Sequence, residues 1–309
     1  MISRRNIRVK VMQLLYMMES AGEQQLFKDP VHELQKQLDK SRELFIYLLT
    51  FLTEVARYAE TDARKKASKN LPSQDDLNVN IKVAGNELLW QIMENESFKK
   101  AQETDKPLLT IDKDLVRNIY NKLIATDEYK TYINQLGRDK KNEKALIDFI
   151  FNTLMLPNED FESHIEEHFN NWDDDGEMMQ QLVNVFLQKP TQDTQQMITT
   201  EKWLFAKTLL ATMIDKKEYA LELIKPKLNN WDADRIAVLD MLIMQLGVCE
   251  LLYFETIPTK VTINEYIDLA KEYSTPQSGQ FVNGILDNLH KELMAQGKIH
   301  KTDFKQKRQ

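Results

Sequence analysis

Apolar residues recur at the spacing of an α-helix along almost the whole chain, and residues that interrupt helices are scarce. The sequence holds only 8 glycines and 8 prolines among 309 residues. That is too few for the many turns of a β-sandwich, a barrel or a nucleotide-binding sheet. Hydrophobic residues make up 42% of the chain and charged residues 29%, which is typical of a globular protein. We therefore predict an all-α fold.

The first predicted helix combines an apolar stripe with a cluster of arginines. Ser3 is a candidate N-cap, and Arg4 and Arg8 share one face of the helix with Arg5 beside them. Positive charges in the first turns oppose the helix dipole, so the cluster favours a binding role over a stabilising one. RNA phosphate suits guanidinium donors, and a merely solvated basic helix end is the alternative. The apolar stripe follows the helical period through Ile7, Val11, Leu14, Leu15 and Met18.

The remaining helices are predicted from periodicity and from capping signals. After a polar linker, helices resume near Met197, and Trp231 opens a strongly apolar helix. Thr262 and Glu265 have the spacing of a capping box that would start the next helix, and Ser278 begins the last one. Between the first helix and the linker, the predicted helices cover 31–69, 84–101, 114–126, 143–156 and 160–170.

Two segments that contain Asn-Trp-Asp are similar in sequence. FNNWDDD at 169–175 is repeated as LNNWDAD at 228–234, 59 residues later, and the apolar pattern of the flanks partly agrees. We interpret this as a degenerate duplication. The alternative is that two helix starts converged on the same capping chemistry.

Composition and motifs argue against several classes of function. The formal net charge of -7 is unlike that of a protein that coats nucleic acid, although the residues near both ends are basic. We expect a soluble, cytoplasmic protein, because there is no signal-peptide pattern and no membrane-length apolar run. The single cysteine, Cys249, fits a reducing cytosol and is interpreted as a buried structural thiol.

No catalytic constellation emerges from the sequence. There is no glycine-rich nucleotide motif and no nucleophile elbow, so we expect neither an enzyme nor a cofactor. His164, Glu167 and His168 match the short H-x-x-E-H zinc pattern. We interpret that segment as a solvated helix face and predict no metal site.

Two segments resemble the NusB family of transcription antitermination factors. They are RRNIRVKVMQLLY at 4–16 and residues 234–289, which contain IPTKVTINE and FVNGILD in the family order. The resemblance places a NusB-like RNA-binding helical domain at 1–25 together with 197–295. It leaves 26–196 as an inserted helical region, in part a degenerate repeat of that core, and 296–309 as a flexible basic tail.

The resemblance implies a function and a set of contacts. A member of this family would bind boxA-type single-stranded leader RNA of ribosomal RNA operons together with a small-subunit ribosomal protein (NusE), and would reach RNA polymerase and the other Nus factors indirectly. The positions facing that ribosomal protein fall on Asp240 and Glu250. One arginine of the family motif is Asn6 here. The RNA-binding positions fall on Arg4, Arg5, Arg8, Lys10, Gln13, Tyr16, Lys260, Ser278, Phe281 and Asn283.

Two other functions stay open at this point. An RNA methyltransferase fused to a NusB-like domain would require a glycine-rich cofactor motif and a catalytic cysteine on a sheet, and the sequence shows neither. A non-catalytic helical adaptor that has lost RNA binding is compatible with the acidic middle of the chain.

Overall fold

The described part of the chain is built from α-helices. A computed structural model describes residues 1–21, 28–228 and 236–302, and none of these residues forms a β-strand. Short 3₁₀ turns occur at Pro107–Leu109 and Lys225–Lys227, and Ile150–Met155 is π-helical. The helices are α1 (Arg4–Ala21), α2 (Pro30–Ala67), α3 (Gln74–Leu77), α4 (Glu87–Glu94), α5 (Glu96–Asp105), α6 (Lys113–Ala125), α7 (Asp127–Asn134), α8 (Lys140–Phe149), α9 (Glu159–His168), α10 (Trp172–Gln188), α11 (Thr200–Ile224), α12 (Val238–Tyr253), α13 (Thr259–Tyr273) and α14 (Ser278–Ala295).

The chain divides into two compact units. The central unit consists of Met1 with Leu38–Met197, and the terminal unit consists of Ile2–Gln37 with Ile198–Gln309. Helix α2 contributes its first residues to the terminal unit and the rest to the central unit. The all-α prediction is confirmed, and none of the described helices is both long and apolar enough to cross a bilayer.

The core of the central unit forms around the apolar side of α2. The Phe51 ring packs on Phe161 of α9 with centroids 4.6 Å apart, and Phe45 meets Phe186 of α10 edge-on at 5.6 Å. Offset and edge-on pairs of this kind are favourable beyond their buried area. The long helix predicted over 31–69 is therefore confirmed as α2. It forms because its apolar stripe packs against these neighbouring helices.

Two predicted helices in the central unit are interrupted. Asn95 ends α4 and caps α5, because its side chain accepts from the backbone N–H groups of Ser97 (2.9 Å) and Phe98 (3.3 Å). This capping geometry turns the chain, so one continuous helix over 84–101 was wrong. The stretch predicted over 143–156 begins earlier, at Lys140, and ends in the π-helical segment.

The terminal unit packs α12 against α11, α13 and α14. Helix α12 is buried on nearly every side, as its strongly apolar sequence predicts. The described part of α12 begins at Val238. The proposed start at Trp231, the second Asn-Trp-Asp segment from residue 229 and the second half of the basic tail, from residue 303, lie outside the described residues.

The capping-box prediction at Thr262 was wrong. Helix α13 begins at Thr259 after Pro258, and the Thr262 hydroxyl instead donates to the Glu250 carboxylate at 2.8 Å. Proline suits this position because its fixed φ precedes a helix well. The Thr262 hydroxyl therefore binds the buried Glu250 of α12 and does not form the helix cap that the local spacing had predicted.

Cys249 is a buried thiol, as predicted. Its side chain is fully buried in α12, and burial raises the pKa of the thiol to about 12. Because only the thiolate reacts with disulfide reagents, we expect Cys249 in the folded chain to resist Ellman's reagent at about pH 8. Release of thionitrobenzoate before unfolding, instead of only after denaturant is added, would contradict this.

Candidate nucleic-acid interface

Ser3 and Asn6 fix the start of the arginine-bearing helix. The Asn6 backbone N–H donates to Ser3 Oγ at 3.1 Å, and the Ser3 N–H donates to Asn6 Oδ1 at 3.3 Å. This reciprocal pair is a capping box, and it confirms Ser3 as the N-cap of α1. Arg4 and Arg5 therefore lie in the first turn, and Arg8 lies one turn later.

Arg4 and Arg5 are partly open to solvent and paired with carboxylates. Arg4 Nη2 lies 2.6 Å from Glu201 Oε1 of α11, and the Arg4 side chain is 39% exposed. Arg5 Nη2 lies 2.6 Å from Glu272 Oε2 of α13, and the Arg5 side chain is 36% exposed. Both guanidinium groups are within reach of a ligand, but each already has an anionic partner.

Arg8 is buried instead of presented to solvent. Its side chain is 2% exposed, and its Nε and Nη2 each donate to a Glu250 oxygen at 2.8 Å. This is a bidentate fork. The prediction that Arg8 reaches RNA from an open helix face is therefore corrected, as is the prediction that the buried Glu250 faces a protein partner.

Two hydroxyl groups complete the site around Glu250. Thr262 Oγ1 donates to Glu250 Oε1 at 2.8 Å, and Tyr266 OH donates to Oε2 at 3.1 Å. We call Arg8, Glu250, Thr262 and Tyr266 the buried charge cluster. It ties α1, α12 and α13 together through hydrogen bonds that satisfy both carboxylate oxygens.

The electrostatics of the buried charge cluster keep Arg8 charged. Burial opposes the charge of Arg8, but the hydrogen bond to Glu250 and the charge of Glu250 outweigh it, so the pKa of Arg8 is raised. Burial, followed by the nearby Glu250, raises the pKa of Tyr266 well above its usual value. The phenol therefore stays protonated and remains a donor.

Lys301 lies at the C-terminal end of α12. Its Nζ donates to the backbone carbonyls of Glu250 (3.0 Å) and Phe254 (2.8 Å), where a helix C-terminus favours a cation. Burial lowers the pKa of Lys301. Lys301 thus binds the backbone carbonyl of Glu250, and Arg8 binds its carboxylate.

Ser278 and Asp240 form a hydrogen bond inside the terminal unit. Ser278 Oγ lies 2.8 Å from Asp240 Oδ2 and 2.8 Å from Thr275 Oγ1, and both Ser278 and Asp240 are buried. Direct contact of Ser278 with RNA, and of Asp240 with a protein, was predicted from the resemblance. The burial of both side chains corrects these predictions.

The other predicted RNA residues differ in accessibility. Tyr16, Lys260 and Asn283 are exposed, Gln13 and Phe281 are half-buried, and Lys10 is buried. Tyr16 lies eleven residues after Arg5 on α1, which is about 16 Å along the helix axis. An aromatic ring and two guanidinium groups are thus accessible on one helix.

The sequence analysis missed the partners of the arginines. Glu201 and Glu272 pair with Arg4 and Arg5, and Phe205 lies under the Arg4 guanidinium, 5.6 Å from its central carbon to the ring centroid. Glu265 and Glu272 are seven residues apart and so share one helix face, which was a weak signal. Nothing in the sequence around Glu201 indicated a pairing with Arg4, since an acidic residue in the first turn of a helix such as α11 is common.

The two histidines of α9 contact an aromatic ring and a backbone carbonyl. The ring of His164 packs on Tyr47 with centroids 6.0 Å apart, and His168 Nδ1 lies 2.9 Å from the carbonyl of His164. Across residues 1–21, 28–228 and 236–302, no three His, Cys, Asp or Glu side chains are grouped so as to hold a metal ion. His164 is half-buried, so this face of α9 is less solvated than predicted.

Comparison with known proteins identifies the family. The transcription antitermination protein NusB of Salinibacter ruber is 42% identical over 98 residues, covering 32% of this chain and 61% of that protein. The protein of the same name from Finegoldia magna is 44% identical over 87 residues, covering 28% of this chain and 64% of that protein. Residues 164–291 match the NusB family. The chain therefore contains a NusB family domain.

The extent of the NusB match is limited. The chain covers less than two thirds of each of these curated relatives. The family match begins in α9 and ends in α14, so the arginine-bearing α1 lies upstream of it. A solved structure of T. maritima NusB is 33% identical and covers 36% of this chain and 75% of that chain, with a TM-score of 0.30.

Proposed function

We propose that this chain is a transcription antitermination factor for ribosomal RNA operons that binds boxA-type leader RNA together with the ribosomal protein NusE. The NusB family domain and the names of the antitermination relatives support the proposal. The observation that carries it is the placement of Arg4 and Arg5 at the surface of α1. Contact with RNA polymerase and the other Nus factors would follow indirectly, through this complex.

The accessible side chains of α1 suit a single strand. Arg4 and Arg5 would contact phosphate, since a planar guanidinium fork matches phosphate oxygens. Tyr16, farther along the helix, would stack on an unpaired base. Lys260 and Asn283 are exposed, and with the half-buried Phe281 they would extend the surface through α13 and α14.

The buried charge cluster would act by positioning. Arg8 lies one turn after Arg4 and Arg5, and its bidentate bond to Glu250 holds this end of α1 on α12. A rigid helix loses less entropy when it binds than a mobile one does. Arg8 and Glu250 are therefore positioning residues in this proposal and do not contact RNA.

A helical adaptor without RNA binding is the second candidate. It is favoured by one observation, that both accessible arginines already have carboxylate partners. In that case the ion pairs would only hold α1 to α11 and α13, and RNA affinity would not depend on Arg4 or Arg5.

Replacing Arg4 and Arg5 together by alanine should lower the affinity for boxA-type RNA about tenfold or more, since each charged hydrogen bond to phosphate is lost. The measurement is a fluorescence titration at several salt concentrations, with and without NusE. The slope of log affinity against log salt should become shallower by at most about 1.4, because each of two phosphate contacts contributes no more than about 0.7 for a single strand.

The matched control replaces Arg57 and Arg117 by alanine. These arginines of the central unit are also partly exposed and paired with a carboxylate three residues away, and the variant has the same change in net charge. It should bind RNA like the natural chain. Equal affinities for the Arg4/Arg5 variant and this control would favour the adaptor.

A further inference from the structure

The carboxylates that pair with Arg4 and Arg5 come from other helices. Glu201 lies in the first turn of α11, and Glu272 lies in the last turns of α13. Each places an oxygen 2.6 Å from a guanidinium nitrogen of α1. Each accessible arginine of the first turn therefore carries its own competing anion.

These ion pairs contribute little to stability. The Glu201 side chain is 78% exposed and that of Glu272 is 38% exposed, and exposed pairs are weak because water and salt screen them. Arg8 and Glu250 already hold α1 in place through a buried bidentate contact. The exposed carboxylates are therefore better explained by what they do to a ligand of Arg4 and Arg5.

A phosphate that binds these arginines must displace a carboxylate. The displaced carboxylate remains nearby, where it repels the phosphate and recruits a cation from solution. The net release of counterions is then smaller than for an unpaired arginine. A strand that offers only phosphates consequently binds weakly, whereas a strand with base contacts retains affinity from stacking.

We infer that Glu201 and Glu272 are built-in competitors of RNA phosphate, and that they suppress the binding of strands that this surface cannot recognise through their bases. The inference rests on the proposed function, since it concerns the same arginines. Glu265 lies 3.7 Å from Arg5, but it is left out of the inference because it lies closer, at 3.5 Å, to the buried Arg8.

The test replaces Glu201 and Glu272 together by glutamine, which preserves side-chain size and removes both negative charges. The probe is a fluorescein-labelled oligouridylate, titrated between about 0.05 and 0.3 M salt. We expect about a tenfold gain in affinity at the lower salt. The salt slope should become steeper by less than about 1.4, because among the described residues Arg4 then has no paired carboxylate and Arg5 keeps only Glu265, at 3.7 Å.

A matched control separates competition from net charge. Glu54→Gln with Glu96→Gln removes two carboxylates of similar exposure that pair with Arg57 and Lys99 in the central unit. This control should gain much less affinity. An equal gain in both variants, or no gain with Glu201→Gln and Glu272→Gln, would overturn the inference.

A parallel titration with boxA-type RNA distinguishes the two proposals. If boxA RNA is bound no better than oligouridylate while the glutamine variant still gains affinity and slope, the proposed function fails and the competition stands. If boxA RNA is preferred and depends on Arg4 and Arg5 but the glutamine variant gains nothing, only the competition is excluded.

Discussion

Replacing Glu250 by alanine should destabilise the terminal unit by about 3–5 kcal/mol, the usual cost of removing one partner of a buried ion pair. The Arg8 guanidinium, 2% exposed, would lose its bidentate partner and, among the described carboxylates, keep only Glu265, at 3.5 Å. The hydroxyls of Thr262 and Tyr266 would lose their acceptor at the same time, and unsatisfied buried donors add to the loss.

Hydrogen exchange measured by mass spectrometry localises this effect. The amides of α1, α12 and α13 should exchange faster in the variant, while those of the central unit keep their protection. Arg8→Met combined with Glu250→Leu removes both charges and should cost less than Glu250→Ala alone, since a hydrophobic pair of similar size leaves no charge buried. A double variant at least as unstable as the single one would contradict the ion-pair explanation.

The sequence predicted helices well where a single periodic stripe of apolar side chains packs on one neighbouring helix surface. The end of α13 at Tyr273 follows from the nearby proline, and the start of α14 at Ser278 follows from local polar residues. The break at Asn95 was missed, because asparagine also occurs inside helices and its capping role appears only once the chain has turned. The Thr262 hydroxyl was misassigned because its acceptor, Glu250, is distant in sequence.

The arginine cluster was predicted as a group, but its division into buried and accessible members was not. Arg8 has the helical spacing of the buried Met12 and Leu15, so a strict use of the period would have placed it inside. Glu250 lies within the apolar run of α12, and a lone carboxylate there indicates a buried cationic partner. These two signals together could have predicted the pair.

The competing carboxylates lay beyond sequence reasoning. Glu201 is 197 residues from Arg4 and Glu272 is 267 residues from Arg5, and contacts at such separations have no local signature. Only the packing of α11 and α13 around α1 brings these charges together.

The contacts of Glu143 in the central unit also could not be predicted from the sequence. Its replacement is expected to cause the second large loss of stability. The sequence suggested only a helix residue, yet its carboxylate is buried and accepts from Tyr132 OH (2.8 Å) and from the backbone N–H of Glu87 (2.7 Å). Arg138 Nη1 lies 3.1 Å from it. Glu143→Ala should therefore destabilise the central unit by about 2–4 kcal/mol.

Two further variants at this position and one control identify the cause. Glu143→Gln retains an acceptor for Tyr132 and for the backbone of α4, so it should lose about half as much stability as alanine. Glu166→Ala removes an exposed glutamate of α9 and should change stability by less than about 0.5 kcal/mol. Urea unfolding, with hydrogen exchange to assign the loss to α4, α7 and α8, gives the three values. If Glu143→Ala unfolds at the same urea concentration as Glu166→Ala, the carboxylate does not hold these helices together, because its hydrogen bonds would then be replaced by water at no cost.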